Sequence, residues 1–392
     1  MAANLLLRAG HEVLVLERST RSLQGRGAGI VTHEGLRQTL RACGAVVDET
    51  LGVAVASRVV LGPNGQTICN WDHPQILTSW GRLYSLLRAA LPEAQHRLGA
   101  SVVAVTQDEH GARVQLVSGE VLSGDLVVAA DGIRSSVRQQ LWPQVQPHYA
   151  GYVAWRGVCD EAALSRHTLR TLFPFFAFGL PAGEQLIGYP VAGADDSTAA
   201  GQRRWNFVWY RPAAAGPELM DLMTDADGQH HADGIPPQQV SWRHIAAARA
   251  AARQLLAPQL AEVLEKTAVP FLQPIFDLVS PALAQGRVAL MGDAAFVARP
   301  HVGMGVAKAA DDAVCLVDSI ASLGATPTAL QAYHAHRHPA GLAVAQRAQA
   351  LGAHLEARSR GHGLQPPPQT VMQQTAIDPS LFDTFPPQTL AA

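Results

Sequence analysis

Apolar and polar positions divide the first part of the chain into short elements. Ala2 to Arg8 has helical spacing and stops at Ala9-Gly10; Glu12 to Leu16 reads as a strand closing on Glu17. A polar, glycine-bearing connection over 19–29 runs on into Ile30 and Val31, and helical spacing returns from His33 to Cys43. Apolar runs at 53–60 and 66–70 flank Pro63-Asn64-Gly65, which predicts a hairpin. Leu83, Leu86, Leu87 and Leu91 line one face of a helix over 79–91. Strands are predicted at 100–106, 113–116 and 125–129, the last running into Asp131-Gly132 and a helix start at 133–138.

The character changes at Tyr149. Runs at 149–158, 169–178, 185–191 and 205–210 are rich in aromatic residues and separated by turns, which favours an antiparallel sheet over parallel units. Helical spacing follows at 242–256 and 259–266, then an edge strand at 269–277 carrying two prolines. The expected division is a dinucleotide-binding portion at 1–148, an inserted sheet portion at 149–279, a return to the first portion with a long helix at 280–360, and a loosely attached tail at 361–392.

The stretch from Val288 to Ala313 organises this layout. An apolar strand enters Gly292-Asp293, a loop carries Pro300 and His301, and Gly303-Met304-Gly305 opens a long helix. A helix start presents unpaired N–H groups and a positive dipole end to an electron-rich ligand, and glycines let the ligand approach backbone. Glu17, closing the second strand of a dinucleotide-binding unit, stands where ribose hydroxyls are taken. Asp131-Gly132 is a second candidate nucleotide contact, and Arg82 lies near enough to a helix start to reach an anion. Each has a plainer reading, as a surface carboxylate, an N-cap or a solvated arginine.

Composition narrows the field. With 30 basic and 32 acidic residues the formal charge is -2, which argues against bulk electrostatic binding of nucleic acid. The four cysteines, Cys43, Cys69, Cys159 and Cys315, form no metal or redox spacing, and His230-His231 are badly placed to share an ion, so no metal site is expected. No apolar run reaches membrane-spanning length, and a cytoplasmic protein is expected.

Glu17, Asp131-Gly132, Gly292-Asp293 and Pro300-His301-Val302-Gly303 together resemble the single-component FAD-dependent aromatic hydroxylases, the group of para-hydroxybenzoate hydroxylase, over roughly residues 3–350. The stretches 149–158, 206–210, 218–224, 299–301 and 305–313 are most similar to its hydroxypyridine-hydroxylating branch. The resemblance implies a Rossmann-like FAD-binding domain with an inserted substrate sheet and a C-terminal helix. It also implies hydroxylation of a small hydroxylated heteroaromatic with O2 and NADH or NADPH, through a flavin C4a-hydroperoxide. By position, Glu17, Arg26, Gly27, Gly29, Ile30, Val31, Arg82, Asp131, Gly132, Asp293, Gly303, Met304 and Gly305 would bind cofactor. His301, Tyr152, Tyr189 and Tyr210 are the proton-active candidates, and Trp155, Trp209 and Pro300 would pack the substrate ring. Lys308 and Asp311 would support the cofactor wall; Phe296, where most of the family has histidine, takes no proton role. A homodimer is a further expectation.

The family's first strand and GxGxxG-like turn have no counterpart ahead of Met1. An incomplete chain is the expectation; a chain complete as given would be expected to retain FAD weakly and to be poorly soluble. Hydroxylation of salicylate, 6-hydroxynicotinate or urate, and a non-catalytic flavoprotein-like scaffold, stay open at this level.

Overall fold

The structure, a computed structural model, describes residues 1–23, 29–232, 234–356 and 365–387. The fold is α/β. Two short parallel pairs stand apart from its large sheet: Val15–Glu17 pairs with His96–Leu98, and Val288–Leu290 pairs with Val127–Ala129. Gly305–Leu323 packs on Pro327–Gly352 and also against Ala2–Arg8 and Glu34–Ala42. No helix among the described residues is long and apolar enough to cross a membrane.

A large mixed sheet dominates the rest. Among the described residues its strands run, in spatial order, Phe296–Val297, Phe271–Val279, His148–Asp160, Arg204–Pro212, Gln185–Val191, Phe175–Gly179, Val53–Leu61, Thr67–Ser79 and Gly29–Val31. The sheet therefore extends beyond 149–279, because the hairpin at 53–79 pairs onto it in parallel through Val53–Leu61. That hairpin turns at Gly65, whose φ of +82° suits glycine, and its second strand continues to Ser79.

Alternation along the central strands sorts side chains to two faces. Trp155, Trp205, Phe207 and Trp209 point into a core covered by Trp242–Leu255 and Pro258–Lys266. Tyr152, Phe176, Phe178, Tyr189, Val208 and Tyr210 point to the opposite face.

Two expectations fail here. Strand propensity at 169–178 yields to a helix, Arg166–Leu172, because Ser165 Oγ caps it by accepting from Thr168 N at 3.3 Å; the strand starts only at Phe175. Residues 365–387 are not a loose tail. Pro368–Gln374 is a helix started by its proline, and Val371, Met372 and Ala376 are buried against the tyrosine-bearing face.

Candidate active site

His301 is the centre of the site. Pro300–Val302 forms one tight turn, and Gly303 leaves it with φ +65° to start the Gly305–Leu323 helix. The turn is braced by Arg299, which bonds Asp277 at 2.7 Å and Glu356 at 2.9 Å. It carries the imidazole, fully buried, onto the sheet face. His301 Nε2 lies 2.8 Å from the Tyr152 hydroxyl, and its ring centroid lies 4.1 Å from that of Tyr210. Burial, then the charges of His354 and Arg299, hold the imidazole well below its usual pKa, so it is neutral at pH 7. Burial raises the Tyr152, Tyr189 and Tyr210 hydroxyls, with Arg299 opposing at Tyr152 and Arg156 at the other two; all three stay protonated donors.

At the far end of the same face lie Tyr189 and Asn206. Asn206 and Tyr210 are four residues apart on one strand, so about 13 Å separates them, with Val208 between. Asn206 Oδ1 accepts from Gly29 N at 2.8 Å. A Cβ on Gly29 would stand 2.4 Å from the Tyr189 ring, so only glycine fits this approach. Three fully buried polar atoms at the two ends have no hydrogen-bond partner among the described residues: His301 Nδ1, the Tyr210 hydroxyl and Asn206 Nδ2. Buried polar atoms normally find partners, so an orphaned set at the ends of an apolar floor marks a place for a polar ring.

The concavities nearby lie elsewhere. One of about 470 Å³ opens at His148, Asp277, Arg299 and Glu356, and a smaller one lies between His354 and the 366–387 segment. Neither is lined by His301, Tyr210 or Asn206, and the neighbouring unpaired His301 Nδ1 and Tyr210 hydroxyl are the stronger sign of the chemistry.

The cofactor side fits FAD. The Gly305–Leu323 helix begins without a side-chain cap, and a Cβ on Gly305 would meet nothing within 4 Å, so a ligand has room to approach the backbone at this start. Met304 is buried at the N-cap of this helix. Asp293 reaches water but stands in a crowded groove, where desolvation raises its carboxyl against the pull of Lys308, with Asp312 adding to the rise. Its turn is rigid. Buried Lys308 donates to Gly292 O and to Asp312, each at 3.1 Å; Asp312 also accepts from Gly292 N at 3.2 Å and Arg337 Nε at 2.8 Å. The support thus comes from Asp312, one position past the expected Asp311, whose ion pair among the described residues is with Arg337 at 3.9 Å.

Family comparison decides the class. The FAD binding domain family matches residues 1–172 and 226–348, and an FAD binding domain-like family matches 149–277. The chain belongs to the FAD-binding monooxygenases. Among curated relatives, the 2,6-dihydroxypyridine 3-monooxygenase of Paenarthrobacter nicotinovorans is 29% identical over 91% of this chain and 89% of its own length. The aurachin C monooxygenase/isomerase of Stigmatella aurantiaca is 30% identical, covering 85% and 80%. The solved 2,6-dihydroxypyridine-3-hydroxylase of Arthrobacter nicotinovorans superposes with a TM-score of 0.86 at 27% identity, covering 95% of this chain and 92% of that one. The monooxygenase uses FAD as cofactor and NAD(P)H as co-substrate, as its family does.

Other expected positions come out as follows. Glu17 ends its strand with the carboxylate accepting from Ser19 N at 2.7 Å. Asp131 accepts from Ser136 N at 2.9 Å, the N-cap-like role, while Gly132 turns at φ +79° with open space beside it. Ile30 and Val31 join the sheet edge beside Thr67–Ser79. Arg82 is not free for an anion: it donates to Thr50 at 2.9 Å and pairs with Asp196 at 3.6 Å. Arg26 and Gly27 lie outside the described residues. Trp155 and Trp209 must be withdrawn as substrate contacts, since the sheet itself separates them from the tyrosines. Asn206 was missed, although its even spacing from Tyr210 within an apolar strand was a visible signal.

Proposed function

We propose that the monooxygenase hydroxylates a small, hydroxylated pyridine-like ring lying on the face between His301 and Asn206. The observation that carries this reading is the orphaned set of His301 Nδ1, Tyr210 hydroxyl and Asn206 Nδ2 around an apolar floor. It is supported by the likeness to a dihydroxypyridine hydroxylase over most of both chains.

In this reading a ring hydroxyl donates to His301 Nδ1. The neutral imidazole then presents Nε2–H to the Tyr152 oxygen, and proton withdrawal onto Nδ1 makes the ring more electron-rich. Tyr210 donates to the ring's oxygen or nitrogen, and Pro300 packs beside it. FAD, when bound, supplies the hydride acceptor and oxygen activation. Glu17, Asp131, Gly132 and Asp293 would hold its nucleotide and ribityl parts, Gly29, Ile30 and Val31 its flank, and Gly303, Met304 and Gly305 its ring edge. The division at 148 and 279, a homodimer and a cytoplasmic location complete the proposal.

The test is substrate-stimulated NAD(P)H oxidation by the FAD-loaded protein across 2,6-dihydroxypyridine, 6-hydroxynicotinate, salicylate and urate, with product position assigned by NMR. Stimulation confined to salicylate or urate would overturn the substrate class.

A further inference from the structure

The 365–387 segment crosses the tyrosine-bearing face and ends its helix against the His301 turn. Ala376 N donates to His301 O at 2.8 Å, and a Cβ on Gly303 would stand 2.6 Å from the Ala376 Cβ. Ala376 itself has φ +50°, a left-handed conformation that alanine adopts at a cost and keeps only where its surroundings over-determine it.

Arg58 supplies that determination. It lies mid-strand in Val53–Leu61 with its guanidinium wholly buried, 4.8 Å from the Phe176 ring centre. Among the described residues its hydrogen-bond partners are all neutral. Nη1 donates to Met372 O at 3.0 Å and Thr375 O at 2.5 Å, and Nη2 donates to Ala376 O at 2.7 Å. Nε and Nη2 share Gln75 Oε1 at 2.9 and 2.7 Å. A buried cation without a counter-ion is expensive, and burial draws this one down to about 9. What the fold obtains for that expense is a fork closing on the carbonyls that adjoin His301 and Gly303. Weaker anchors follow: Gln185 to Thr375 Oγ1 at 3.3 Å and His33 to Asp378 at 3.6 Å.

We propose that Arg58 is a positioning residue for hydroxylation. By clamping Thr375 and Ala376 it holds the backbone of His301 to Gly303, and with it the substrate-facing imidazole, at a fixed depth on the sheet. The proposal rests on the reading of His301 given above.

The test uses the full-length, FAD-loaded protein and the variants Arg58→Gln, Arg58→Lys and Asp378→Asn. Two quantities are measured: amide exchange of peptides covering 299–305 and 365–377, and product formed per NAD(P)H consumed. In Arg58→Gln both peptides should exchange at least tenfold faster and coupling should fall threefold or more, with flavin content retained. Arg58→Lys should recover part of both, since an ammonium still donates to carbonyls. Asp378→Asn loosens the same segment without touching the buried fork and should move both quantities the same way by less. A folded, flavin-loaded Arg58→Gln protein with wild-type exchange at 299–305 and wild-type coupling would overturn the proposal. Should that variant not fold, Asp378→Asn decides: faster exchange at 365–377 with 299–305 and coupling unchanged would refute it. Exchange needs no substrate, so failure of the hydroxypyridine panel stays distinguishable from failure here.

Discussion

Replacing Tyr152 by phenylalanine removes one oxygen from the site and nothing else. That oxygen lies 2.8 Å from His301 Nε2, and both groups are fully buried. The surroundings are tight: a Cβ built on Gly352 would stand 2.5 Å from the hydroxyl, so the backbone of the long C-terminal helix closes over it. The variant forfeits a net hydrogen bond of about 1 kcal/mol and leaves a buried imidazole nitrogen unpaired at about 1–3 kcal/mol, a total of roughly 2–4 kcal/mol. For a chain of this size that lowers Tm by about 2–5 °C. The kinetic effect has a separate origin. Without Tyr152 nothing selects the tautomer with Nδ1 as acceptor, and a loss of about 2 kcal/mol in the transition state slows turnover about 30-fold. The assay is kcat and KM for substrate-stimulated NAD(P)H oxidation, with product quantified, beside thermal melting of the flavin-loaded protein. KM should change little, because Tyr152 touches His301 and not the ring. A variant that melts early yet keeps wild-type kcat and coupling would reduce the pair to a structural contact and refute the proton role of His301.

Three further outcomes follow from the same geometry. Lys308→Met should break the buried pair with Asp312 and remove one of the two donors to Gly292 O, the other being Ala295 N, costing about 3 kcal/mol; melting should fall by about 4 °C, and flavin fluorescence after dilution should show faster FAD release as the Asp293 turn loosens. His354 is buried, and burial draws it down to about 4 against a backbone hydrogen bond at Leu351. Its neutral state therefore stabilises the fold fully above the unfolded value near 6.5, and this is lost as pH falls from there towards 4, by about 2 kcal/mol at pH 5. His354→Leu should shrink the difference in melting temperature between pH 7 and pH 5; an undiminished difference would assign the acid sensitivity to other groups. Gly29→Ala should drive a methyl into Tyr189 and Asn206, cost about 2 kcal/mol, and weaken FAD binding at least tenfold in a fluorescence titration.

Much of the site was legible before any fold was known. The turn at Gly292-Asp293 and the helix start at Gly305 follow from local glycine placement and apolar runs, which act over a few residues. Period-two alternation already put Asn206, Val208 and Tyr210 on one face and Trp205 and Trp209 on the other; naming Trp209 and Tyr210 together ignored that rule. What alternation leaves open is which face becomes core and which becomes site. That was decided by the helices of 242–266 covering the tryptophans, and by the 365–377 segment settling on the tyrosines. Arg58 meets Ala376 across more than three hundred residues, and Lys308 chose Asp312 over its neighbour because only one carboxylate faces Gly292. Backbone geometry dictates local pattern, whereas the partner of a buried charge is set by the packing of distant segments, and only the folded molecule contains that information.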